Sequence, residues 1–143
     1  MNKFKFSKKS LERLKKANPV LQLVFYRMLE ISDIDFGIVC TERTIEEQKE
    51  LYKNGRSKID GVTKLSKHNI APAEAGDLMV FINGQVSWES HYYIYLGGLF
   101  KSVCAELGVQ GRWGGNFDMD TDILEQDFDD IGHFEIIDKR FIK

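Results

Sequence analysis

The sequence predicts an α+β fold, with helices packed on a small, mostly antiparallel sheet. Three observations lead there. Helical apolar periodicity fills the first part of the chain, short strand-like runs follow out of βαβ order, and an Asn83-Gly84 turn joins two of those runs as a hairpin. The 143 residues, 43% hydrophobic and 29% charged, suit one globular domain spanning 1–143 with a sizeable core, and argue against disorder.

Taken in order, Ser10 stands before Leu11, Leu14 and Ala17, and Pro19 breaks the pattern, so a short capped helix is expected over 10–17. Pro19 opens a second helix, whose apolar face is Val20, Leu21, Val24, Phe25, Met28, Leu29 and Ile31. Residues 35–40 read as a strand. Thr44 with Glu47 three residues on is a capping box, starting a helix that stops at Asn54-Gly55. Residues 55–76, with three glycines and Pro72, have no clear period and form a long loop of the kind that carries function. A strand over 78–82 turns through Asn83-Gly84 into 85–88, and a helix over 90–107 ends at Gly108. Residues 111–132 read as a second loop and His133–Ile137 as a final strand.

The net charge of -2 gives no reason to expect a nucleic-acid partner. Seven Lys/Arg fall within residues 1–16, read here as the solvated face of a first helix, and seven Asp/Glu within 118–130. Asp118, Asp120 and Asp122 alternate as in a calcium loop, but the glycine and distal glutamate of an EF-hand are missing, so a solvated acidic loop is the plainer reading. Cys40 and Cys104 lie in apolar or helical surroundings and are expected to be buried free thiols. With no signal-peptide run and no stretch of membrane-spanning length, synthesis in the cytoplasm without membrane insertion is expected, as is a monomer.

Two of the three histidines have aspartates at short offsets: His68 leads to Asp77, and Asp130 precedes His133. Two imidazoles and a carboxylate at loop-to-strand junctions are a ligand set for catalytic zinc, with the fourth position left to water and a second carboxylate, Asp130, to move a proton. The competing reading is two ordinary satisfied histidines. His91, at a helix start beside Glu89, is expected to be structural or substrate-lining. From spacing alone, Arg43 is a surface cation paired with Glu46 or Glu47.

A set of motifs then resolves the choice. Phe6-Ser7, Asn18-Pro19-Val20-Leu21, Glu42-Arg43-Thr44, Glu46-Glu47-Gln48, Gly55-Arg56-Ser57-Lys58, Ser66-Lys67-His68-Asn69, Arg112-Trp113-Gly114-Gly115 and His133-Phe134-Glu135 together resemble the phage endolysin, L-alanyl-D-glutamate peptidase branch of the zinc D-Ala-D-Ala carboxypeptidase superfamily. The resemblance covers almost the whole chain. It implies the small zinc-peptidase fold shared with the hedgehog signalling domain, zinc ligands His68, Asp77 and His133, and Asp130 as catalytic acid/base. It further implies Arg43 as the contact to the transition state or a substrate carboxylate, and Ser66 and Gln48 lining the site.

The implied partner is bacterial peptidoglycan, reached from the host cytoplasm through a pore made by another protein. A D-Ala-D-Ala carboxypeptidase or dipeptidase, and a non-catalytic wall-binding domain, are the alternatives on the same fold. The sequence departs from the family pattern in a longer interval between His68 and Asp77, in Glu42 where glycine is usual, in Gly132 where proline is usual, and in Gly76 where valine is usual.

Overall fold

Strict alternation along one long strand sets the architecture. In the structure, a computed structural model that describes residues 4–116, 119 and 130–143, strand β2 (Ala75–Ile82) buries Gly76, Leu78 and Val80 on one face and turns Asp77, Met79 and Phe81 to the other. Strand β1 (Asp35–Cys40) pairs along one edge of β2. At the opposite edge, β3 (Gln85–Ser87) pairs with its C-terminal end and β5 (His133–Ile136) with its N-terminal end. Strand β4 (Gly111–Trp113) pairs with β5, and every one of these ladders is antiparallel.

Among the described residues, four α-helices accompany the sheet: α1 (Lys8–Leu14), α2 (Pro19–Ile31), α3 (Ile45–Lys53) and α4 (Ser90–Leu107). Their starts follow local chemistry. Asn18 accepts a hydrogen bond from Val20 N ahead of Pro19, and Thr44 and Glu47 form the expected capping box. Gly108 closes α4 in the left-handed region at φ +69°, which a side chain would disfavour. Among the described residues, no helix is long and apolar enough to cross a membrane.

The core lies between the inner sheet face and helices α2 and α4. Phe134 of β5 sits edge-on to both Phe25 of α2 and Phe100 of α4, with centroids 6.4 and 5.2 Å away. All three rings are fully buried, and each such aromatic contact adds about 0.5–1.5 kcal/mol beyond the area buried. Because Phe134 faces inward, its neighbours His133 and Glu135 must face outward together.

Several expectations need correction. The first helix starts at Lys8 and is capped by Ser7, whose side chain accepts from Ser10 N. Ser10 lies inside it, buried, and its Oγ accepts from Ile38 N at 3.0 Å while Arg13 donates to Ile38 O at 2.8 Å. These bonds satisfy β1 where a bulge between Ile38 and Cys40 breaks its register with β2, and the bulge brings Cys40 opposite Asp77. Strand β2 begins at Ala75, so Asp77 lies within it. Gly111–Trp113, read as loop, is a strand because β5 supplies its partner; three residues are too few to show a period.

The glycine at position 76 has a packing cause. A Cβ there would lie 2.6 Å from the Phe25 ring, so a valine and this phenylalanine cannot share the space. Gly76→Val is expected to lower stability by about 1–3 kcal/mol, measured as a shift of the urea midpoint. Phe25→Leu in the same chain should recover part of that loss, and an unshifted midpoint for the single variant would contradict this packing.

Candidate metal centre

The β2–β5 register places Asp77 directly opposite His133, both on the outward face. His68 arrives from a separate short 3-10 turn (Lys67–Asn69), started by Ser66, whose Oγ accepts from His68 N at 3.2 Å. That turn is tied to the chain after β1: Arg43 N donates to His68 O at 2.7 Å, and Asn69 Nδ2 donates to Arg43 O at 3.0 Å. Three segments far apart in sequence therefore meet at one point.

At that point the three ligand-type atoms form a nearly equilateral triangle. His68 Nε2 is 3.2 Å from Asp77 Oδ1 and 3.3 Å from His133 Nδ1, and His133 Nδ1 is 3.2 Å from Asp77 Oδ1. The far nitrogen of each ring is already committed. His68 Nδ1–H donates to Thr41 O at 2.7 Å, and His133 Nε2–H donates to Glu135 Oε1 at 2.7 Å. In the neutral tautomers those partners select, two lone pairs and a carboxylate oxygen face one another, a mutually repulsive set unless a proton or a cation lies among them.

An ion bonded tetrahedrally at about 2.0–2.1 Å spaces its ligands about 3.3–3.4 Å apart, close to the observed triangle. A second group of Cys40, His68 and Asp77 also has ligand-type atoms close together. It fits less well, because Cys40 Sγ approaches His68 at Nδ1 (4.0 Å), the nitrogen already donating to Thr41. Cys40 is thus half-buried beside the cluster, not sealed in the core as expected, whereas Cys104 is buried and its thiol is pushed up to about 12 by that burial.

Comparison with known proteins shows the family. The family described as Phage L-alanyl-D-glutamate peptidase matches residues 2–137. The L-alanyl-D-glutamate peptidase of Escherichia phage T5 is 32% identical over 138 residues, which are 94% of this chain and 98% of that protein. The chain belongs to the phage L-alanyl-D-glutamate peptidase family. The crystal structure of the Serratia marcescens L-Ala D-Glu endopeptidase ChiX has the same fold, with TM-score 0.75 and 26% identity, covering 93% of this chain and 90% of that one.

Around the triangle, charge is arranged to match. Burial opposes the protonated form of His68, but the Asp77 carboxylate outweighs it and raises the imidazole to about 10. Asp77 is pulled well below the usual carboxylate range by the two imidazoles, against the effect of burial. Glu135 is also lowered despite burial, by His133 and by Arg112, whose guanidinium donates to it at 2.8 Å. Glu135, for which the His133-Phe134-Glu135 motif implied no role, thus orients His133. Its signal was the two-residue step from His133 on a strand, which puts both side chains on one face.

Asp130 lies beside Asp77 and His133, with ligand-type atoms of all three within 4.8 Å of one another. Burial, and then the Asp77 charge, raise its pKa, with His133, His68 and Arg43 opposing. Its backbone is fixed by a close approach to Gly114, where a Cβ would fall 1.9 Å from Asp130 O.

Arg43 is not the surface partner of Glu46 or Glu47 that spacing suggested. Its guanidinium is 3.5 Å from Asp77 Oδ2 and donates to Gln48 Oε1 at 2.8 Å. Arg43, Ser66, His68, Asp77, Asp130 and His133 all line a single cavity of about 640 Å³. Gln48 does not line it. Fully buried, it stands behind Arg43 and also donates to Ser57 Oγ and Ile59 O. His91 is exposed beside Glu89 and lies outside the cavity. Asp118, Asp120 and Asp122, the candidate calcium loop, fall outside the described residues.

A metal ion entering the triangle must displace the proton that Asp77 holds on His68. Apparent affinity is therefore expected to rise with pH up to about pH 10, where His68 loses that proton, with proton release on binding, measured by chelator competition and calorimetry. A flat profile would contradict the proton-filled triangle. Glu135→Gln is expected to weaken metal binding about 10- to 100-fold by loosening His133, with the fold retained in circular dichroism.

Proposed function

We propose that this L-alanyl-D-glutamate peptidase is a zinc enzyme acting on the peptide stems of peptidoglycan, with His68, Asp77 and His133 as ligands and Asp130 as general acid/base. The observation that carries the reading is the triangle of mutually facing donor atoms, each ring oriented by a bond at its far nitrogen, opening onto a cavity beside a carboxyl of raised pKa. Two imidazoles and a carboxylate favour zinc among common ions over the all-oxygen shells of calcium or magnesium.

When bound, zinc supplies Lewis acidity, polarising the scissile carbonyl and making the attacking water more acidic. The chain's own residues do the rest. Asp130 accepts a proton from that water as its oxygen bonds to the alanyl carbonyl carbon. It then gives the proton to the glutamyl nitrogen as the carbon–nitrogen bond breaks, so that the amine leaves neutral. The raised pKa of Asp130 suits this exchange, because a carboxylate of ordinary basicity takes a proton from water reluctantly and loses it to solvent at neutral pH before it can be passed on.

Arg43 stands where it can balance negative charge growing on the carbonyl oxygen. Gln48 keeps the guanidinium in that place from behind, which makes it a positioning residue. Ser66 holds the turn that presents His68. In the cell, the same proposal has the protein reach the wall from the host cytoplasm through a pore made by another protein.

Purified protein loaded with one zinc per chain is expected to release fragments cut between L-alanine and D-glutamate from muropeptides, read by mass spectrometry, and a chelator should stop it. Loss of a terminal alanine instead would favour a carboxypeptidase, and wall binding without cleavage would favour a non-catalytic domain. Asp130→Asn should keep its zinc and lose activity about 10²- to 10⁴-fold; full turnover in that variant would remove Asp130 from the reaction.

A further inference from the structure

The described wall of the cavity in front of the triangle is rich in cations. Among the described residues, its lining includes six Lys/Arg and three carboxylates, whereas the whole sequence carries a net charge of -2. Three of those cations have acidic partners: Arg43 with Asp77, Lys67 with Glu74 and Arg112 with Glu135. Arg56 and Lys64 differ. Both are exposed on the cavity wall, and among the described residues neither has a carboxylate within ion-pair distance. Cations on a concave surface concentrate positive potential in it and attract an anionic ligand.

The loop that carries them is built to hold a shape. Asp60 is its hub: the carboxylate accepts from the backbone of Val62, Thr63 and Lys64 and from the Thr63 hydroxyl, and these bonds lower its carboxyl to about 2. Gly61, at φ +78°, lets the chain reverse there, and its N–H donates to Lys64 O at 3.0 Å. Arg56 N donates to Leu51 O at 2.8 Å at the other end. Gln48 binds Ser57 Oγ at 2.9 Å and Ile59 O at 2.7 Å through the same amide group whose oxygen holds Arg43. One buried side chain thus fixes the loop relative to the guanidinium at the reacting centre.

The substrate chemistry supplies the matching anion. A glutamyl residue joined to alanine through its nitrogen and to the next residue through one carboxyl keeps a second carboxyl, ionised at neutral pH. The residue that follows it adds another carboxylate if it is itself a dicarboxylic diamino acid or ends the chain. Arg43 is pinned against Asp77 beside the metal ligands, so it serves the reacting bond. A carboxylate further along the leaving-group side needs other cations.

We propose that Arg56 and Lys64 form a second subsite, which receives a free stem-peptide carboxylate on the leaving-group side of the scissile bond. The subsite makes the enzyme prefer stems in which that carboxyl is charged over stems in which it is amidated. This rests on the activity proposed above. Two carboxylates have the required chemistry, that of the glutamyl residue and that of its successor, and the test separates them.

Three synthetic stem peptides are needed: one with both carboxyls free, one amidated at glutamate, and one amidated at the following residue. Each is titrated calorimetrically into zinc-loaded Asp130→Asn protein with the native loop or with R56Q/K64Q. The free peptide should bind the double variant about tenfold more weakly, the scale of charge-assisted contacts at an exposed wall. One amidated peptide should lose the same factor on the native loop and nothing further on the variant, identifying the carboxylate. R56K/K64R, which keeps both charges, should recover most of the affinity, and added salt should weaken the native-loop complex more than the R56Q/K64Q complex.

Equal affinity of the free peptide, within about twofold, for the native loop and R56Q/K64Q would overturn the subsite. So would a loss on the variant that neither amidation reproduces. If wild-type protein cuts none of the peptides between alanine and glutamate, the bond assignment fails, yet the binding cycle still decides the subsite.

Discussion

The structure depends on one cross-strand pairing: Asp77 of β2 against His133 of β5, with Gly76 and Phe134 paired one step away. Slipping β5 by one residue against β2 would exchange the faces of β5, sending His133 and Glu135 into the core and Phe134 into water. Phe134 is held by Phe25 and Phe100, and Phe25 occupies the space that Gly76 leaves open. The hydrophobic core therefore fixes the register, and the register brings the candidate metal ligands Asp77 and His133 together.

Around the ligands, polar bonds finish what the core begins. Burying two imidazoles and a carboxylate together is costly without partners, and each ring here has one at its far nitrogen: Thr41 O for His68, Glu135 for His133. Glu135 is in turn neutralised by Arg112. A second line of bonds runs outward from Asp77 through Arg43 and Gln48 to the loop at Ser57 and Ile59. The candidate metal centre and the cavity wall are thereby parts of one assembly of hydrogen bonds and an ion pair.

Much of this was legible in the sequence wherever the cause is local. The Thr44–Glu47 capping box, Pro19 after Asn18, the Asn83-Gly84 turn and Gly108 at the end of α4 each act within a few residues, and each stands as expected. That His68, Asp77, Asp130 and His133 belong together was legible as a motif whose specificity came from family resemblance more than from spacing, and the structure brings the four to one cavity. What escaped is non-local. Gly111–Trp113 is a strand only because β5 lies beside it. Ser10 does not start a helix because its hydroxyl serves Ile38, 28 residues away. Cys40 reaches the site through a bulge, and Gln48 turns inward because Arg43 and the 57–59 backbone await it. None of those partners is visible in a local pattern.

Three overlapping donor groups compete for the role of metal site, and they differ in sulfur and in imidazoles. His68, Asp77 and His133 offer nitrogen and oxygen with two imidazoles, Asp77, Asp130 and His133 the same elements with one, and Cys40, His68 and Asp77 include a sulfur. X-ray absorption at the zinc edge of the loaded protein separates them. The expected spectrum has nitrogen and oxygen scatterers at about 2.0–2.1 Å with the signature of two imidazoles; a sulfur at about 2.3 Å, or a single imidazole, would contradict the account.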